Sequence, residues 1–369
     1  MTVPDHSMHD LFAAGQSVWL DNIRRDLMDS GELAGMISRG LRGMTSNPSI
    51  FRDAIRGSDL YDASLVELDA MRPDASAVEL FESVAIADIR SAADEFRDLY
   101  DESDGSDGFI SLEVSPRLAH DTEGTIAEAR RLWRAVDRPN LMVKVPATPA
   151  GIPAIEELIA RGVNINVTLI FNIRHYEAVA RAFLSGLERC EVDPSRVASV
   201  ASVFISRVDA TVDTALEAVG SVDALAIRGQ IAVSAAKMIY QRYLELFGDD
   251  FEAIWGRGAH PQRVLWASTS TKNPEYSDVM YIEELIAADT VNTVPPKTLV
   301  AFADHGEVRA GAATEDLQGA AGVLAILEAV GINLDQTCQD LQDAGVESFI
   351  SAFDDLLAAV SEKREGLRS

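Results

Sequence analysis

The sequence predicts a single (β/α)8 barrel of the TIM type, with extra N-terminal and C-terminal helices. Three observations carry that prediction. Eight short apolar runs bounded by turn signals recur along the chain. Longer segments with helical spacing separate most of them, as parallel β/α units require. No internal repeat, low-complexity tract or proline-rich linker divides the 369 residues. A doubly wound open sheet is the alternative, but no glycine-rich turn follows the first run.

The strand candidates begin with 18–23 and 43–47. Residues 52–108 then hold about two helices' worth of pattern and end in the acidic loop DESDGSDG. Strands at 109–115 and 141–146 flank a helix at 122–136, and a helix at 151–161 leads to the strand at 165–171. A helix at 173–187 precedes the strand at 198–206, and a helix at 225–247 precedes the strand at 264–269. The last strand, 290–294, sits in DTVNTVPPKTL, whose proline pair ends the run and leaves it to close the barrel. Residues 314–365 read as helices only. There Phe349, Ile350, Phe353, Leu356, Leu357 and Val360 fall on one helical face, the buried stripe of an amphipathic helix. The whole chain, 1–369, is thus expected to be one barrel domain, with helical additions at about 52–108 and 314–365.

Composition narrows the function. Apolar residues make up 47% of the chain and charged residues 25%, the balance of a folded protein. The net charge is −27, from 32 basic and 59 acidic residues. A field of that sign repels phosphate polymers and anionic lipid, so neither nucleic acid nor membrane is expected as a partner. An anionic small substrate needs its own local cationic pocket. Cys190 and Cys338 fit no disulfide framework or zinc spacing, and the six histidines are scattered. No metal and no cofactor is expected. Residues 1–16 lack the basic and apolar regions of a signal peptide, and no apolar run approaches the ~20 residues of a membrane span. A cytoplasmic location is therefore expected; the oligomeric state is not legible.

Side chains of a strand alternate between two faces. One parity here is apolar: Leu112 and Val114; Leu141, Val143 and Val145; Val167, Leu169 and Phe171. The other parity reads Asp21, Thr45, Asn47, Glu113, Lys144, Asn166, Thr168, Ser202 and Ser268. Any one of these suits a strand end in water. Together they bring hydrogen-bonding groups from several strands to one side, where catalytic residues of this fold converge. Lys144 is the sharpest member. It is one of five lysines against 27 arginines, and alone among them lies inside an apolar strand-like run, LMVKVP. A buried ammonium is costly, and a desolvated amine is a nucleophile able to form a Schiff base with a carbonyl. The structural alternative is a salt bridge from Lys144 to Glu113.

Five blocks, in order, carry a family resemblance: GMTSNPSIF at 43–51, SLEV at 111–114, VKVPAT at 143–148, GVNINVTLIF at 162–171 and ASVFISRVD at 201–209. The sequence resembles transaldolases, specifically the longer members that carry an STSTKNP segment. The resemblance spans about residues 15–300. It implies that Lys144 forms the imine with a ketose and that Asp21 moves the proton of the hydroxyl beside the cleaved bond. It implies that Glu113 works through water held with the help of Thr168. Asn47 and Asn166 match amides that fix substrate hydroxyls, with Thr45 nearby. Ser202, Arg207 and Ser268 match parts of the sugar-phosphate pocket. Shorter relatives carry an arginine two positions after the matching serine. Here that position is Ser270, and Lys272 is a shifted replacement or an exposed loop lysine.

The implied reaction transfers a dihydroxyacetone unit from sedoheptulose 7-phosphate to glyceraldehyde 3-phosphate through a lysine Schiff base, in the pentose phosphate pathway. Two alternatives stay open. One is an aldolase like fructose-6-phosphate aldolase, which releases the fragment. The other is a non-catalytic barrel that binds sugar phosphates, against which the set Asp21, Glu113, Lys144 and Thr168 argues.

Overall fold

The computed structural model describes residues 6–248, 251 and 256–368. Residues 1–5, part of the segment read as lacking a leader, lie outside the described residues. Eight parallel strands close into a barrel in sequence order. They are β1 (Gln16–Asp21), β2 (Gly43–Thr45), β3 (Phe109–Glu113), β4 (Leu141–Pro146), β5 (Ile165–Ile170), β6 (Ser199–Phe204), β7 (Arg263–Ala267) and β8 (Thr290–Val294). β8 pairs with both β7 and β1, which excludes the open sheet. The register sets Glu113 beside Lys144 and Lys144 beside Asn166 on adjacent strands.

The helices that matter for the site are α1 (Pro48–Arg56), α2 (Ala77–Glu95), α3 (Thr122–Val136), α4 (Gly151–Ala160), α5 (Ile173–Glu188), α6 (Ser206–Val219), α7 (Ile231–Leu246), α8 (Pro296–His305), α9 (Leu317–Ala329) and α10 (Leu334–Arg368). Their apolar faces pack on the outward parity of the strands, where Leu141, Val143, Val145 and Val167 are fully buried. The 35-residue α10 leaves this ring and packs against α1, α2, α6 and the end of β5. No single helix among the described residues is long and apolar enough to cross a membrane.

Several boundaries differ from the expectation, each for a local reason. The first strand starts at Gln16 and ends at Asp21, two residues earlier than the run suggested. The second stops at Thr45 because Asn47 leaves the sheet: its side chain accepts from the Ile50 amide at 3.0 Å, capping α1, with Pro48 at the first helical position. Ser206 belongs to α6 rather than to the sixth strand. Ser268 lies past β7 with φ +56°, outside strand geometry. The helix expected over 225–247 is two, Val222–Ala226 and α7, broken near Gly229 at φ +69°. Two helices were expected over 52–108, but that stretch holds the end of α1, then Asp62–Met71, α2 and Arg97–Glu102.

β5 contains the largest departure. Its pairing with β6 shifts register between Val167 and Ile170, and Leu169 sits at φ +61°. Left-handed backbone is rare for a branched apolar residue. The alternation read through Val167, Leu169 and Phe171 is therefore interrupted at the bulge.

Candidate active site

The C-terminal ends of the strands surround a cavity of about 150 Å³. Asp21, Thr45, Asn47, Lys144, Asn166, Thr168, Ser202, Arg207, Ser268 and Lys272 all line it. Of the site residues read from the sequence, only Glu113 is not on that wall; it stands next to Lys144 on β3. Ser270, where shorter relatives carry an arginine, is on the wall too; Phe204, Thr293, Pro295 and Phe349 also face the cavity and were not singled out. Phe349 belongs to the stripe read as buried, yet its ring centroid lies 5.9 Å from Lys144 Nζ. The hint was present in its helical face, but periodicity cannot say what a face meets.

Lys144 is 7% exposed. Its Nζ donates to the Ser46 carbonyl at 3.3 Å, and among the described residues no carboxylate lies within ion-pair distance. The structural salt bridge to Glu113 is thus absent. Burial pushes the Glu113 carboxyl up to about 7, against the pull of Lys144 and with repulsion from Asp21 adding to the rise. Its Oε2 is buried without a protein partner, as is Thr168 Oγ1. Asp21 is raised by burial, opposed by the charge of Lys144 and a hydrogen bond from Thr45. Thr45 Oγ1 donates to Asp21 Oδ1 at 2.8 Å and lies 2.7 Å from Thr293 Oγ1.

A second chain of bonds crosses the barrel interior. Ser202 Oγ donates to Asn166 Oδ1 at 2.7 Å, and Asn166 Nδ2 donates to Ser111 Oγ at 2.9 Å. These bonds fix which face of the Asn166 amide meets the cavity. They also commit the Ser202 hydroxyl proton inward.

The cations cluster on one side. Arg207 lies 5.1 Å over the Phe204 ring and forms no ion pair among the described residues. Lys272 is exposed at the rim, where its Nζ donates to Ser270 Oγ at 2.8 Å. Partial desolvation by the neighbouring wall and the charge of Arg207 lower its affinity for a proton, against the pull of Asp21. The Ser206 and Ser268 hydroxyls meet at 2.9 Å. Two cations with no carboxylate to neutralise them suit a bound dianion. Among the described residues, no group of His, Cys, Asp or Glu is placed to hold a metal ion.

A larger cavity, about 350 Å³, opens at the opposite, N-terminal mouth. Its charges bind one another. Asp107, 2% exposed, pairs with Arg42 and, at 3.0 Å, with Arg263. Ser17 donates to Asp107 at 3.0 Å and accepts from Arg263 at 2.6 Å. Between the two mouths, volume would choose this one; unspent charge chooses the other.

Residues 18–360 match the family of transaldolase and fructose-6-phosphate aldolase. The chain is 46% identical over 361 residues to a transaldolase of Frankia alni, covering 96% of this chain and 97% of that one. It is 47% identical over 356 residues to a transaldolase of Thiobacillus denitrificans, covering 95% and 98%. A transaldolase of Mycolicibacterium smegmatis is 47% identical over 354 residues, covering 95% of each chain. With its closed eight-stranded barrel and its buried lysine on β4, the chain belongs to the transaldolase/fructose-6-phosphate aldolase family.

Proposed function

We propose that Lys144 is the Schiff-base lysine of a transaldolase that moves a dihydroxyacetone unit from sedoheptulose 7-phosphate to glyceraldehyde 3-phosphate. The observation that carries this reading is a buried lysine, without an ion pair, on the wall of a cavity it shares with Asp21, Thr168 and two cations. The amine attacks the ketose carbonyl. The neighbouring Glu113, about half protonated near neutral pH by its raised affinity, delivers through a water the proton with which the carbinolamine hydroxyl leaves. Asp21 then takes the proton of the hydroxyl beside the bond to be cleaved. The bonding pair moves into the imine, giving an enamine on Lys144 and releasing erythrose 4-phosphate. The enamine attacks glyceraldehyde 3-phosphate, Asp21 returns its proton, and hydrolysis of the new imine frees fructose 6-phosphate. The unpartnered oxygens of Glu113 and Thr168 are suited to hold the water of that last step.

Arg207 and Lys272 hold the phosphate and Asn47 and Asn166 the sugar hydroxyls, with Ser202, Ser268 and Thr45 completing the wall. The place of action is the cytoplasm. Incubation with fructose 6-phosphate followed by borohydride tests the reading: a reduced three-carbon adduct is expected on the Lys144 peptide. An adduct on another lysine, or none, removes the mechanism. Running the reaction with and without erythrose 4-phosphate separates transfer from release of a free fragment.

A further inference from the structure

The strained turn of β5 lies one residue beyond Thr168, and a single side chain from α10 holds it. Gln342 is 1% exposed. Its Nε2 donates to the Leu169 carbonyl at 2.9 Å and to the Ala147 carbonyl at 3.0 Å. An amide nitrogen has two protons, so these bonds use both; His175 Nδ1 stands farther off at 3.4 Å. Leu169 is at φ +61°, inside the register shift between β5 and β6. Ala147 follows the strand that carries Lys144, and its amide donates to the Thr168 carbonyl at 2.8 Å. Gln342 thus ties the ends of the two strands bearing Lys144 and Thr168 to one helix. On the same helix, Gly345 makes room for Leu169: a Cβ there would stand 2.9 Å from Leu169 Cδ2.

We propose that Gln342 is a positioning residue for the imine chemistry, holding the left-handed bulge at Leu169 so that Thr168 and Lys144 keep their mutual placement. A left-handed leucine persists only where its surroundings over-determine it. Two carbonyl bonds from Gln342 and the notch at Gly345 supply that constraint. The inference rests on Lys144 being the Schiff-base lysine.

The test compares three variants in the full-length chain. Gln342→Met keeps the bulk and removes both donors. Gly345→Ala presses on Leu169 without removing a hydrogen bond, and the preference of a helix for alanine over glycine, about 1 kcal/mol, offsets part of that strain. Val346→Ala, on the same helix at a residue 2% exposed, is the packing control. Each is read for thermal unfolding, for kcat and KM, and for the rate of borohydride-trapped adduct with fructose 6-phosphate.

Gln342→Met is expected to slow adduct formation and kcat by about 10- to 100-fold, with KM within about threefold. Gly345→Ala should lower kcat several-fold while remaining folded at the assay temperature, and it carries the test alone if Gln342→Met does not fold. Val346→Ala should lose stability but keep kcat. The proposal is overturned if a folded Gln342→Met, or Gly345→Ala, adducts and turns over at the wild-type rate. It is also overturned if kcat falls in Val346→Ala as far as in Gln342→Met. A wild-type chain without adduct on Lys144 overturns the parent reading instead, so the two failures are distinguishable.

Discussion

The two mouths of the barrel hold similar groups in opposite states. At the N-terminal mouth, Arg42, Arg263, Asp107 and Ser17 bind one another, and the Arg263 guanidinium also donates to the Thr290 carbonyl at 2.8 Å, its Nε alone lacking a partner. At the C-terminal mouth, Lys144 has a carbonyl but no carboxylate, Arg207 has an aromatic ring but no anion, and Glu113 and Thr168 keep oxygens unpartnered. Paired charges stabilise a fold and are chemically spent. Unpaired ones cost stability and remain available to a substrate. The difference separates a seam that holds the barrel together from a site that works on something else.

The sharpest way to break this comparison is Lys144→Met. Transfer should fall by roughly 10⁴-fold or more, since the nucleophile is gone. Thermal unfolding should show stability unchanged or raised by about 1 kcal/mol, because an unpaired buried ammonium has been removed. A large loss of stability would mean that Lys144 belongs to the paired class.

Glu113→Gln comes next, with an expected loss of about 10²–10⁴-fold in imine formation and hydrolysis. Asp21→Ala should instead let the imine of the intact ketose accumulate, because Asp21 acts after it forms; identical blocks in both would refute the division of roles. The same Glu113 variant tests linkage. The folded carboxyl takes up its proton at about pH 7, above its ordinary 4.5, so the folded state binds more protons between those values. Glu113 therefore contributes stability that is full below about pH 4.5 and is lost as pH rises through 7. Relative to Glu113→Gln, the wild type should lose about 3 kcal/mol across that window. A flat difference in denaturant titrations would show a Glu113 that is not desolvated.

At the other mouth, Asp107→Ala should cost about 3 kcal/mol, because it strands two arginines that shared one carboxylate. The activity of the folded fraction should stay the same. The smallest effect belongs to Arg207→Ala, about 1.5–3 kcal/mol, or roughly 10- to 150-fold in kcat/KM for phosphorylated substrates. An unphosphorylated ketose should lose little more. Lys272→Ala, measured in the same assay, decides whether that exposed lysine shares the phosphate. No change with either substrate class would make it a loop residue.

The sequence made the barrel legible because its strands are buried on both faces and read as short apolar runs. Polar residues of the inward parity mark the site within those runs. Boundaries were less legible where a side chain overrides the strand: Asn47 turns into a helix cap, and Ser268 takes left-handed backbone. Leu169 gave no sign at all, since nothing about a leucine announces φ +61°. Phe349 and Gln342 were hidden differently. Cys338, Gln342, Val346, Phe349 and Phe353 continue one helical face, and a polar residue in it was a signal. Their partners lie far away in the chain, Ala147 being 195 residues from Gln342, and spacing carries no information across that distance.

That separation has a consequence for the order of assembly. The barrel grows largely from neighbours in sequence, each strand pairing with the next. The clasp between α10 and β5 joins residues 173 and 195 positions apart, farther than any strand pairing except the β1–β8 seam, and such closures come late. In refolding from denaturant, the circular dichroism of the barrel should therefore recover before turnover does. The lag between them measures how long a nearly finished barrel waits for its last helix.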